Sequence, residues 1–161
     1  MSIELTIQYT DSEYKLATKE KLAEMPNINL HTYLPTGILF LISLVLFYLN
    51  VAFSWWGISL IVLISIYAIP CLLWSILMPL IALALAKKKK LGETYHFTIN
   101  EELIKRSSEQ GTLKTHWEEL VSVDFLPHNV FFNMEKGSMV IPNSRLTDSQ
   151  LETLRLYAAR N

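Results

Sequence analysis

The chain has 161 residues, of which 18% are charged, and a formal net charge of −1. That balance supplies no overall field to attract nucleic acid, and no nucleic-acid-binding module is recognisable. The one cysteine, Cys71, excludes an internal disulfide and sits in an apolar run, where it reads as packing.

Residues 1–33 form an N-terminal segment with charges of both signs, unlike the short basic start of a secretory signal peptide. Ile3, Leu5 and Ile7 alternate with Glu4, Thr6 and Gln8, which predicts a half-buried strand. Asp11 or Ser12 is then placed to cap a helix that carries Tyr14, Leu16 and Leu22 and ends before Pro26.

The next stretch is defined by what it lacks. Between Glu24 and Lys87 there is no Asp, Glu, Lys or Arg. A core helix of a water-soluble domain keeps a wet face, and a chain of this length is too short to wrap two helices that have none. Hydrocarbon demands such a pattern, because an ionised side chain at mid-bilayer costs at least about 2.5 kcal/mol. Residues 34–53 therefore predict a first membrane-spanning helix, about 30 Å long, with Pro35 in its first turn. Asn50 to Gly57 predicts a tight connection that sets Trp55 and Trp56 at the membrane–water boundary. Residues 58–86 predict a second span. A helix of that length measures about 43 Å, so tilt or a bend must absorb the excess. Pro70 and Pro79 supply the bend, as a static kink or as a hinge, and the hydroxyls of Ser65 and Ser75 stand near the carbonyls that the prolines free.

Lys87, Lys88, Lys89 and Lys90 close this span and place its end in the cytoplasm by the positive-inside rule. Two spans return the N-terminus to the same side. The lysines read as a topology signal and interfacial anchor, or as a contact for anionic lipid headgroups at about 1 kcal/mol each.

Residues 91–161 predict a cytosolic domain of short antiparallel strands. Tyr95, Phe97 and Ile99 alternate with polar neighbours, and Leu103 to Ser107 and Leu113 to Trp117 flank a turn at Ser108-Glu109-Gln110-Gly111. Val121, Val123 and Phe125 share one face, as do Val130, Phe132 and Met134. Phe131 then points the other way, either to a protein partner or as cover for the C-terminal helix. Thr147 and Gln150 have the spacing of a capping box, Leu146 and Leu151 that of a hydrophobic staple, and Leu151, Leu154, Tyr157 and Ala158 one helical face. The predicted fold is an α+β membrane protein. It consists of a two-helix transmembrane hairpin and a small pleckstrin-homology-like antiparallel β domain, closed by a C-terminal helix and completed by the strand at Ile3 to Gln8.

This layout resembles the YcxB-like family of small bacterial membrane proteins over nearly the whole chain. The residues that carry the resemblance are Tyr9-Thr10 before acidic residues, Phe97-Thr98-Ile99-Asn100-Glu101-Glu102, Trp117-Glu118-Glu119-Leu120 and Val140-Ile141-Pro142. The chain departs from the family where Asn143 stands in place of the usual Lys and Leu146 near the usual aromatic. The resemblance implies the fold and a bacterial inner-membrane location with both termini cytoplasmic, and it implies no activity.

No catalytic, cofactor-binding or metal-binding set is expected. His31, His96, His116 and His128 lack helical metal-site spacing, no glycine-rich phosphate loop exists, and the apolar runs carry no ionisable relay. His116 with Glu118 or Glu119 has no accompanying nucleophile or oxyanion donor, which makes it surface polarity beside Trp117. The expected function is non-enzymatic: a membrane-tethered protein-binding or scaffolding domain, with a protein partner or a second copy of itself. The alternative is an immunity protein that neutralises a membrane-acting or periplasm-delivered toxin.

Overall fold

A computed structural model describes residues 2–25, 28–50, 53–87 and 92–160. Among them the chain is α+β, with two antiparallel sheets and five α-helices. It divides into two compact units, one made of Met1–Glu20 with Ala82–Asn161 and the other of Lys21–Ile81.

The first unit holds both sheets. β1 (Ile3–Gln8) pairs with β2 (Thr94–Ile99), Ile3 opposite Ile99 and Ile7 opposite Tyr95. β3 (Leu103–Ser108) and β4 (Gly111–His116) complete the order β1-β2-β3-β4, and Gly111 supplies the positive φ of their hairpin. β5 (Ser122–Phe125), β6 (Asn129–Met134) and β7 (Gly137–Pro142) form the second sheet in sequence order. The alternation read from the sequence sets the core: Ile3, Ile7, Phe97, Ile99 and Ile104 from one sheet meet Val130, Phe132, Met139 and Ile141 from the other.

Two strand ends differ from expectation. The strand expected to run through Trp117 stops at His116, and Trp117–Glu119 forms a 3₁₀ turn in which the Glu119 carboxylate accepts the His116 backbone N–H at 2.9 Å. The buried Trp117 indole N–H donates to the Asn100 carbonyl at 2.8 Å, and its ring meets Phe132 and Tyr157 edge-on, each at 5.9 Å. Val121 does not share the face of Val123 and Phe125. Its backbone N–H donates to the Asn133 carbonyl at 2.8 Å while its side chain is 68% exposed, because the 3₁₀ turn delays the start of β5.

The helices follow their local signals with shifted ends. α1 (Asp11–Ala23) is capped by Thr10 rather than by Asp11 or Ser12. The Thr10 hydroxyl accepts the Glu13 N–H at 3.3 Å, and the Glu13 carboxylate accepts the Thr10 N–H at 2.9 Å. In the second unit α2 (Ile28–Tyr48) starts before residue 34 and stops short of residue 53, so Pro35 is interior. Asn50, in the left-handed region at φ 57°, ends this stretch, as a short amide side chain permits. Ser54 caps α3 (Trp55–Leu72) by accepting the Gly57 N–H at 3.1 Å, which places Trp55 and Trp56 in the first helical turn rather than in the loop.

The helix expected over residues 58–86 is two helices, α3 and α4 (Trp74–Lys87), separated at Leu73. The Leu73 N–H still donates to the Ile69 carbonyl at 3.0 Å and the Leu77 N–H to the Leu73 carbonyl at 2.8 Å. The break falls between Pro70 and Pro79, neither of which has an N–H for the carbonyl four residues back. The side chain of Ser75 lies outside the described residues, whereas Ser65 bonds back to the Ile61 carbonyl at 2.9 Å. α2 and α3 pack on each other, and Phe47 meets Phe53 across their connection at 5.5 Å. Among the described residues one helix, Trp55–Leu72, is long and apolar enough to cross a membrane, while Tyr33–Tyr48 and Ile76–Lys87 are shorter apolar helices.

α5 (Asp148–Arg160) closes the first unit. The Gln150 side chain accepts the Thr147 N–H at 2.9 Å and the Thr147 hydroxyl accepts the Gln150 N–H at 3.3 Å, the capping box read from the sequence. Leu154 and Tyr157 are buried in the core, with Leu146, Leu151 and Ala158 packed around them.

Candidate functional site

α1 is tied near its start to the 3₁₀ turn Asn143–Arg145 that follows β7 and near its end to the start of β6. Near its start, Glu13 takes the Arg145 guanidinium, Nε to Oε1 at 2.9 Å and Nη2 to Oε2 at 3.4 Å. Near its end, both Glu20 oxygens are engaged: Oε1 accepts the His128 backbone N–H at 3.0 Å and Oε2 the Asn129 amide at 2.7 Å. Asn129 is 1% exposed, so its amide has no water to turn to. Between these two clamps Ala17 is buried, the small side chain that lets a helix lie close. The Tyr9 hydroxyl, just before α1, donates to the Val140 carbonyl at 2.5 Å.

Glu20 is tied to the part of β6 that carries Phe131. Asn129 and Phe131 share the face of β6 opposite to Val130 and Phe132, and that is the face to which Glu20 is tied. Phe131 is 3% exposed. The expected partner contact is therefore corrected: as folded, the ring is covered and unavailable to a partner.

Burial pushes the Glu13 carboxyl up, but the Arg145 hydrogen bond and the Thr10 N–H and hydroxyl outweigh it and hold the group below its ordinary value of 4.5. A depressed carboxylate contributes stability that is complete above its unfolded value and is lost as pH falls through the folded one. Thermal melts of the wild type should thus lose more stability below pH 4.5 than those of Glu13→Gln. Equal losses would show that this clamp carries no pH-dependent stability.

Asn143 uses its amide nitrogen to tie the Leu126 and Pro127 carbonyls at 2.9 and 3.1 Å. Arg145 is committed to Glu13. Neither residue is held ready for an external anion.

The other sequence-predicted residues do not converge. Trp55 and Trp56 are 79% and 82% exposed. Lys87 pairs with Asp11 at 2.5 Å, both side chains about half exposed, and Lys88, Lys89 and Lys90 lie outside the described residues. His96 meets the Thr6 hydroxyl at 3.1 Å, His116 is exposed, and the side chain of His31 lies outside the described residues. Among the described residues no three His, Cys, Asp or Glu side chains gather as a metal site.

One feature was not predicted. A cavity of about 310 Å³ opens at the end of the first sheet, lined by Glu93, Tyr95, Arg106, Ser108, Gln110 and Thr112 among others. Arg106 stands opposite both Phe97 and Leu113, in the row that begins at Leu5, so it occupies the core face of a central strand. Its guanidinium lies 5.4 Å from the centre of the Tyr95 ring, and Tyr95 lies 5.6 Å from Tyr9. Burial pushes both phenols up; the Arg106 charge opposes this, and Glu93 adds to it at Tyr95. The Gln110 amide donates to the Glu93 carboxylate. The signal was present in Ile104 and Arg106, two apart on one strand, since alternation carries the core face onto a charge.

No family model matches the chain, and no curated protein or solved structure matches it.

Proposed function

We propose that this chain is a membrane-anchored, non-enzymatic scaffold or protein-binding module. α2 and α3 with α4 form the transmembrane hairpin, and the two-sheet unit is a pleckstrin-homology-like domain of the YcxB-like kind on the cytoplasmic side of a bacterial inner membrane. The observation that carries this reading is exposed hydrocarbon without charge. Phe40, Leu63 and Ile66 are each more than 60% exposed, on helices within a segment that has no ionisable Asp, Glu, Lys or Arg. Water does not tolerate such a surface, and lipid does.

The sheet register supports a hairpin over a single span. β1 precedes the apolar helices and β2 follows them, yet the two strands are hydrogen-bonded neighbours. A chain that crosses a bilayer an odd number of times leaves those strands on opposite sides. With Trp55–Leu72 as one span, α2 is the companion that restores an even count, although its apolar stretch Tyr33–Tyr48 rises only about 24 Å and needs local thinning of the bilayer.

Carbonate-washed membranes should retain the full chain, and reporters fused after residue 160 and before residue 3 should both score as cytoplasmic. Recovery in the aqueous fraction would remove the anchoring, and reporters on opposite sides would remove the hairpin. Cross-linking from the two-sheet unit in intact cells should then yield a discrete protein partner or a homo-oligomer.

A further inference from the structure

Two opposite charges share the cavity at the end of the first sheet without closing on each other. Among the described residues Arg106 forms no ion pair; it lies beside the Tyr95 ring, while Glu93 is engaged by two neutral groups, the Gln110 amide and the Tyr95 phenol. Arg106 is half-buried on the core face of a strand that pairs on both sides, so protecting a free edge does not explain its charge. The surrounding groups are hydrogen-bonding ones: the hydroxyls of Ser108 and Thr112, the Tyr95 phenol and the Gln110 amide.

We propose that this cavity binds a phosphodiester bearing a primary ammonium, the chemistry shared by an ethanolamine phospholipid headgroup and free glycerophosphoethanolamine, with Arg106 on the phosphate and Glu93 on the ammonium. The guanidinium fork suits two phosphate oxygens, and the Tyr95 ring lies beside it at 5.4 Å. The Glu93 carboxylate accepts from the Gln110 amide and the Tyr95 phenol, and its two oxygens have acceptor capacity beyond these two. The same carboxylate opposes a dianionic phosphate monoester, and a quaternary ammonium brings it no N–H. Discrimination between ethanolamine and choline therefore resides in Glu93, and affinity for the phosphate in Arg106.

The lipid as source, though not the chemistry, rests on the membrane-anchored reading. Glu93 follows the last residue of α4, Lys87, by a few residues, at most about 20 Å of extended chain. A headgroup beside the end of that helix is within reach of such a cavity, whereas a soluble ligand needs no such proximity.

The test uses the full chain in phosphatidylcholine nanodiscs, titrated calorimetrically with glycerophosphoethanolamine, glycerophosphocholine and glycerol 3-phosphate. Glycerophosphoethanolamine should bind at least tenfold more tightly than either of the others. Arg106→Gln should weaken that binding at least tenfold, and Glu93→Gln should erase the preference over glycerophosphocholine, both variants melting like the wild type. Absence of glycerophosphoethanolamine binding, or its survival in Arg106→Gln, overturns the site. Repeating the titration in phosphatidylethanolamine nanodiscs separates the sources. A tenfold loss of apparent affinity through competition supports the lipid headgroup; an unchanged affinity overturns the lipid source and supports the soluble one. If carbonate washing releases the chain, the titration runs in buffer, so failure of the anchoring reading is told apart from failure of the site.

Discussion

Ile7→Ala should lower the stability of the two-sheet unit by about 3 kcal/mol, and deletion of residues 2–8 should abolish its cooperative unfolding altogether. Ile7 is 1% exposed and Ile3 is equally part of the core, so truncation of either leaves a cavity between the sheets. The deletion removes more. It strips β2 of its outer neighbour, exposes Phe97 and Ile99 along one side, and frees Tyr9 and α1 from the register that β1 gives them. Native domains have only about 5–15 kcal/mol to lose, and a whole core strand exceeds that margin. Differential scanning calorimetry of the full chain in detergent measures both effects. A deletion variant with an undiminished transition would show that β1 is an accessory strand.

The second large effect is expected at Glu20. Glu20→Ala should destabilise the same unit by about 2 kcal/mol, because it leaves the His128 N–H and the buried Asn129 amide without their acceptor. Glu20→Gln, which keeps one acceptor, should cost less. Release of this end of α1 should also uncover Phe131, so amide exchange should speed up at 129–133 in β6 and a hydrophobic dye should bind. Unchanged exchange in β6 on Glu20→Ala would mean that packing alone holds α1 in place.

What was legible in the sequence was local. The Thr147 and Gln150 box, the Gly111 turn and the period-two strands needed only residues a few positions apart, and they formed where their patterns placed them except at Trp117 and Val121. The α1 cap was displaced by one residue: Thr10 with Glu13 three positions on is the stronger signature, and Asp11 lies inside the helix. The burial of Phe131 was not legible. Alternation gives the face of a strand but not what lies on it, and what lies there is secured by Glu20, whose partner is 109 positions away. The bend between α3 and α4 was legible from its prolines, but its place at Leu73 depends on which turn yields. Arg106 was not singled out, because only the register shows which of Lys105 and Arg106 turns toward the core.

The neighbours β1 and β2 leave the ribosome far apart in time. By the time Thr94 emerges, the whole apolar segment has already been synthesised, and Ile3, Leu5 and Ile7 have waited unpaired throughout. Closing so long a loop is slow, since its entropy must be met before the first ladder bond forms. Nascent chains should therefore stay protease-sensitive at their front until the final strands and α5 are released, and a cell that stalls translation within α3 holds an exposed strand with nothing to pair against.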